Sequence, residues 1–196
     1  MIVLASASPR RRELFGLIGY SFEVRVSSAD ESIASGLSPM EAVEILAKRK
    51  AEAVFAERPD DIVIGADTIV VADDRILGKP VDEDDAKRML RSLSGRKHWV
   101  YTGVNILSKE RSESFVSATE VEFYPLSDEM ISTYVSTREP MDKAGAYGIQ
   151  GRGAVLVKGI SGDYYTVVGL PVAELAHRLC GFGIQPLQSF RTSTDS

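Results

Sequence analysis

The sequence predicts an α/β fold: a mixed β-sheet with flanking helices. Three observations point there. Short apolar, β-branched runs alternate with helix-like stretches in the first half of the chain, the pattern of strand–helix–strand units. Two long strand-like runs then follow each other directly near the middle, which a purely parallel sheet does not accommodate. The chain has 196 residues, 44% hydrophobic and 26% charged. That is enough to bury one core without a staple, and it excludes a disordered, collagen-like or coiled-coil chain.

Each element follows from local signals. Residues 2–5, Ile-Val-Leu-Ala, form a short apolar run that reads as a buried strand. Ser8 caps a helix whose first position is Pro9, where the missing N–H has no partner to lose. Leu14, Leu17 and Ile18 give that helix an apolar face, and Gly19 ends it. Residues 22–26 alternate as a strand, and residues 27–37 form a polar loop carrying Asp30 and Glu31. Ser38-Pro39-Met40-Glu41 is a capping box that opens a helix running to Arg58. Residues 62–71 are β-branched and apolar, either one central strand or a tight strand pair. Asp82 or a neighbour caps a third helix through Leu93, with Gly95 just past its end. Residues 98–107 and 114–123 pair as strands across the polar turn 108–112. Ser127 caps a helix over 128–136, residues 155–160 and 164–168 are short strands, and Pro171 starts a last helix that stops near Gly181. One domain covers residues 1–185, and the Ser- and Thr-rich residues 186–196 are a loose tail.

Composition narrows the function. The net charge of −5 argues against a protein that coats nucleic acid. Cys180 is the one cysteine, so an internal disulfide and a cysteine zinc cage are excluded. His98 and His177 are far apart, lack metal-ligand spacing and read as surface or structural histidines. The apolar start is too short for a signal peptide, and its basic run follows instead of preceding it. The apolar run at 62–72 is far short of a membrane span and is broken by Asp67. The expectation is a soluble, cytoplasmic protein with no membrane or nucleic-acid partner.

Four segments could carry chemistry. In Ala5-Ser6-Ala7-Ser8-Pro9-Arg10-Arg11-Arg12 a strand gives way to a helix with arginines in its first turn. Arginine opposes the dipole there, so the segment is either an anion site or a solvated basic turn. Asp67 interrupts an apolar run that resumes at once beyond it. We read it as a cleft carboxylate needing a partner, in preference to an Asp ending a strand in a turn. Gly65 before it supports a backbone kink under either reading. Lys50 falls on the stripe of Val43, Leu46 and Val54, so it either has a counter-charge or snorkels at the core edge. Lys79, in Leu77-Gly78-Lys79-Pro80, is a similar case or a plain turn lysine. Residues 142–153 are dense in glycine, fitting either close backbone approach to a ligand or a flexible surface loop. Gln150 there offers a donor and an acceptor suited to a base edge.

No GxSxG elbow and no HExxH motif is present, and two remote histidines disfavour a Ser-His-Asp triad. What remains is a carboxylate pair, Glu31 and Asp67, facing a set of cations. Hard carboxylate oxygens suit Mg²⁺ or Mn²⁺ bridging to substrate phosphates. The residues therefore point to phosphate-ester or phosphoanhydride chemistry.

Taken together, LASASPRRREL, ADES, AKRKA, IGADTIV, LGKP, SGRKHWVYTGV, EPMDKAGAYGIQG and VVGLP resemble the Maf family of nucleoside triphosphate pyrophosphatases. The likeness runs from the N-terminus to Gly183. It implies a mixed-sheet α/β fold with two lobes around a nucleotide cleft, related to that of the inosine triphosphatases. It also implies hydrolysis of a nucleoside triphosphate to the monophosphate and pyrophosphate. Within the family the resemblance is to the dTTP/UTP branch, through Arg11, Thr68 and Gln150. It further implies Asp67 as proton acceptor, Glu31 and Asp67 at an Mg²⁺ or Mn²⁺ ion, and Ser8, Arg10, Lys50 and Lys79 around the phosphates. A homodimer is a further expectation. Modified pyrimidine triphosphates are an alternative substrate. A second class of reading is a nucleotide- or nucleic-acid-binding regulator of septum formation without turnover, for which this set of acids and cations would be surplus.

Overall fold

The computed structural model describes residues 1–34 and 36–187. The elements run β1 (Ile2–Ala5), α1 (Pro9–Gly16), β2 (Glu23–Arg25), α2 (Pro39–Phe55), β3 (Ile62–Ala72), β4 (Arg75–Leu77) and α3 (Glu83–Leu93). They continue as β5 (Lys97–Leu107), β6 (Ser112–Phe123), α4 (Asp128–Ser136), β7 (Val157–Ser161), α5 (Tyr164–Val168) and α6 (Val172–Leu179). Short 3-10 turns occupy much of the chain between α4 and β7. The seven strands make one sheet in the order β2-β1-β3-β5-β6-β7, with β4 paired to β3. It is mixed, as expected: β1 runs parallel to β2 and β3, whereas β3–β4 and β6–β7 are antiparallel.

The helix starts are where the polar caps place them. Ser8 Oγ accepts from Arg11 N at 3.4 Å, Asp82 Oδ1 from Asp85 N at 2.7 Å, and Ser127 Oγ from Met130 N at 3.1 Å. At α2 the box is reciprocal, with Ser38 N donating to Glu41 Oε2 at 2.9 Å and Glu41 N to Ser38 Oγ at 3.3 Å. Each side-chain oxygen satisfies an amide that the first helical turn leaves without a partner.

Several expectations change. Residues 164–168 are a helix, not a strand. Asp163 Oδ2 accepts from Thr166 N at 2.7 Å and from Thr166 Oγ1 at 2.8 Å, and this cap outweighs the β-branched composition. The run at 62–71 is one long strand, not a pair, and it continues into a hairpin with β4. Asp73 (φ 49°) and Asp74 (φ 59°) form that turn, with Ala72 opposite Arg75. Two left-handed residues in a two-residue loop match the twist of the strands. Helix α1 stops at Gly16, so Leu17 is exposed. Val155 and Leu156 belong to a 3-10 turn before β7. Of the expected tail, Pro186 and Leu187 are described and the rest lies outside the described residues.

The chain divides into two compact units. The first comprises Met1–Asp67, Thr102–Val116 and the chain from Gly169 onward. A core of Val3, Ala5, Ala51, Val54 and Val63 holds α2 against β1 and β3 there. The second comprises Thr68–Tyr101 and Ser117–Val168. Its larger core includes Leu90, Leu93, Val121, Phe123, Ile131 and Tyr147. Among the described residues no helix is long and apolar enough to cross a membrane.

His98 is a structural histidine of the second core. It is 2% exposed, its Nε2 lies 2.8 Å from Tyr147 Oη, and its ring stands nearly perpendicular to those of Phe123 and Tyr147. Burial pushes its pKa from 6.5 down to about 4. The unfolded chain therefore binds the proton first as pH falls. The contribution to stability is complete above pH 6.5 and is lost as pH falls towards 4, about 3 kcal/mol in all. Urea unfolding of His98→Gln is expected to show a pH dependence flatter by that amount across this window. An unchanged dependence would contradict it.

Candidate active site

The first unit gathers six of the residues singled out in the sequence. Strand β1 ends at Ala5, and its partner in the parallel register is Gly65. Two residues further along β3 stands Asp67, so its side chain emerges just beyond the end of β1, where the chain turns into α1. This is the carboxyl end of a parallel strand pair, a common place for a site in open α/β sheets. The strand runs straight through Asp67, so this residue does not end it.

Helix α2 supplies the partner. Lys50 Nζ donates to Asp67 Oδ1 and lies 2.7 Å from Glu31 Oε1. Lys50 and Asp67 are 13% and 15% exposed, whereas Glu31 is 61% exposed. The lysine on the apolar stripe therefore has its counter-charge and does not snorkel. Its reach depends on how closely α2 lies on the sheet. A Cβ at Gly65 would sit 2.3 Å from the Ala47 carbonyl oxygen and 2.6 Å from Ala51 N. A Cβ at Gly103 would sit 2.6 Å from the Val43 carbonyl oxygen. Both glycines serve close helix–strand approach, so the kink expected at Gly65 is replaced by a packing role.

The start of α1 brings the other cations. Ser8 Oγ is engaged as the helix cap, and Ser8 N donates to Ser6 Oγ at 3.2 Å. Arg10 and Arg11 are half-buried and Arg12 is exposed. Arg11 Nε donates to the Gly169 carbonyl at 2.8 Å, which orients its guanidinium. Burial holds the Arg11 pKa below the ordinary arginine value; Asp67 opposes this, Arg10 adds to it, and Glu31 opposes it. These three charges thus lie within electrostatic reach of Arg11, which faces the acids, whereas Arg12 is the solvent-facing member of the run.

Arg49 braces the Glu31 loop, a contact that the sequence reading missed. It precedes Lys50 on α2, and its Nη1 donates to the Asp30 and Ser32 carbonyls at 3.3 and 2.6 Å. Those carbonyls flank Glu31. Asp30 also accepts from Ser32 N at 2.9 Å. The Glu31 loop is therefore tied to the helix that carries Lys50. In the AKRKA run only the lysine drew notice, because an arginine bound to loop carbonyls leaves no periodic signal.

Thr68, Lys79 and Gln150 belong to the second unit. Thr68 is half-buried in β3, Lys79 is exposed after β4, and Gln150 is half-buried in the glycine-rich segment. Gly145 links that segment to the Lys79 turn, since its N–H donates to the Gly78 carbonyl at 3.1 Å. Gly145 also packs on Val70, two residues beyond Thr68, where a Cβ would come within 2.9 Å of the valine side chain. The glycine-rich stretch is thus an ordered series of turns packed on its own unit, not a flexible loop.

The sequence matches the family model described as Maf-like protein over residues 1–182. The chain belongs to the Maf family. A family member of Bacillus cereus (strain G9842), named dTTP/UTP pyrophosphatase, is 54% identical over 183 residues, covering 93% of this chain and 96% of its own. A protein of the same name from Bacillus velezensis is 53% identical over 184 residues, covering 94% and 97%. Among solved structures, the Ham1 protein of Staphylococcus aureus is a distant likeness. It is 16% identical, covers 62% of this chain and 71% of its own, and has a TM-score of 0.46. The Maf match spans the acids and cations of the first unit as well as Thr68, Lys79 and Gln150 of the second.

Proposed function

We propose that this Maf protein hydrolyses dTTP and UTP to the monophosphate and pyrophosphate, clearing unwanted nucleotides from the cytoplasmic pool. The observation that carries this is the gathering of Asp67, Glu31, Lys50 and Arg11 in one unit, in a chain 54% identical to a named dTTP/UTP pyrophosphatase. A regulator that only binds would not need a carboxylate set against two cations at low exposure, so that reading is not favoured.

Two carboxylates converging on one ammonium fit a divalent cation. Mg²⁺ is commonly held by one or two carboxylates, substrate phosphate oxygens and water. No cage of three His, Cys, Asp or Glu side chains is present among the described residues, so Glu31 and Asp67 would share the ion with the substrate. When bound, such an ion supplies charge neutralisation and a Lewis acid at the phosphates. The protein's own residues do the rest. Asp67 takes the proton of the water that attacks the α-phosphorus. Lys50, Arg10, Arg11 and Lys79 neutralise the phosphates and the departing pyrophosphate, with Ser8 beside them at the start of α1. Thr68 and Gln150 read the pyrimidine edge, where a wrong base leaves their polar groups unpaired. Family membership carries the expectation of a homodimer.

The test is the products and rates from UTP, dTTP and GTP with Mg²⁺. Monophosphate and pyrophosphate are expected from the pyrimidines, on the order of 100-fold faster than from GTP. Orthophosphate as product, or equal rates for GTP and UTP, would contradict the proposal.

A further inference from the structure

The second unit contains a half-buried carboxylate, Glu139, that the proposed reaction does not use directly. Glu139 Oε1 accepts from Gly153 N at 3.0 Å and from Tyr134 Oη at 3.1 Å, and its Oε2 accepts from Arg152 N at 3.0 Å. Tyr134 Oη in turn accepts from Gly148 N at 3.1 Å. The pair therefore grips both ends of the segment 148–153, with Gln150 between them. The grip is tight. A Cβ at Gly151, which has φ +70°, would lie 2.9 Å from Glu139 Oε2. At Gly153 it would lie 2.2 Å from the Gly148 carbonyl oxygen and 2.7 Å from Tyr134 Oη. The glycines thus close the segment around its own carboxylate. Burial raises the Glu139 pKa, but the amides of Arg152 and Gly153, the Tyr134 hydroxyl and Lys143 outweigh it and leave the carboxyl below its usual range. Lys143 Nζ also donates to the Glu139 carbonyl, which fixes the carboxylate's own backbone.

We infer that Glu139, with Tyr134, is a positioning residue for base selection: it holds the 148–153 segment so that Gln150 meets the pyrimidine edge. The inference rests on Gln150 as the base reader. A carboxylate is needed because it is an acceptor on both oxygens. A glutamine in its place has one acceptor, so its amide nitrogen faces either the Arg152 or the Gly153 N–H, donor against donor.

Glu139→Gln is expected to raise KM for UTP and to lower the UTP-to-GTP ratio of kcat/KM by roughly tenfold or more, with a smaller change in kcat. Tyr134→Phe removes the hydroxyl but leaves Glu139 both amides, and is expected to lower the ratio less. Hydrogen exchange at the Arg152 and Gly153 amides is expected to speed up in Glu139→Gln, with the rest of the unit unchanged. Gln150→Ala serves as the reference. If it lowers the ratio and Glu139→Gln, folded by the same exchange map, does not, the positioning role is overturned. If Gln150→Ala leaves the ratio intact, the base-reading role beneath the inference is overturned with it. A drop in kcat with no change in the ratio would mark Glu139 as merely structural and would also overturn it.

Discussion

Asp67→Asn is expected to lower UTP turnover by roughly 10²–10⁴-fold, the usual cost of removing a positioned proton acceptor. The amide keeps the size and the β3 backbone of the aspartate, but it cannot take a proton from water and is a poor ligand for a hard cation. The fold should survive. Lys50 keeps Glu31 at 2.7 Å, so the ammonium is not stranded. Removing one partner of a buried pair costs about 3–5 kcal/mol when the other charge is left alone, and less where a second acid remains. Thermal unfolding separates this from collapse: the variant is expected to melt within a few degrees of the parent while turnover falls. More than about a tenth of native turnover in a folded Asp67→Asn protein would contradict the role given to this residue.

Gly65→Ala is the second large effect, and it acts without touching a charged group. The new Cβ meets two backbone atoms, Ala47 O at 2.3 Å and Ala51 N at 2.6 Å. Backbone cannot rotate aside as a long side chain can, so α2 must move off the sheet. Overpacking of this kind costs about 1–3 kcal/mol, or roughly 2–4 °C in Tm for each kcal/mol in a chain of this size. The larger consequence is in the site. Lys50 lies between Ala47 and Ala51 on α2, so any shift there carries the ammonium away from Asp67 and Glu31. Misplacement of a catalytic group by about 1 Å costs on the order of 100-fold. Gly159→Ala is the matched control, since a Cβ there meets nothing within 4 Å. Its stability and activity are expected to stay near those of the parent. Equal behaviour of the two variants would show that close approach at Gly65 does not position the site.

Much of the fold was legible because its signals are local. Ser8-Pro9, Ser38 with Glu41, Asp82 and Ser127 each announced a helix start, and each caps one. The strand at 164–168 failed for the opposite reason. Tyr-Tyr-Thr-Val-Val has strand-like composition, and the decisive residue, Asp163, lies just outside it and caps Thr166. The Asp73-Asp74 turn was missed because Asp-Asp is a weaker hairpin signal than Asn-Gly, although both residues adopt the left-handed conformation it needs. In the site, Lys50 was found because a lysine on an apolar stripe is a conflict that calls for a partner. Arg49 and Glu139 raised no such conflict. Their work is done on distant backbone groups, the carbonyls of Asp30 and Ser32 and the amides of Arg152 and Gly153, which no spacing rule reveals. Gly65 read as a kink in the sequence and Gly103 raised no signal, whereas in three dimensions both mark where a helix presses on a strand.

The most direct measurement is hydrolysis of UTP in heavy-oxygen water with Mg²⁺, followed by mass analysis of both products. Water attacking the α-phosphorus leaves its oxygen on the nucleoside monophosphate. The account predicts singly labelled UMP and unlabelled pyrophosphate, with both signals lost in Asp67→Asn. Label in pyrophosphate or in orthophosphate would place the attack at another phosphorus and would contradict it.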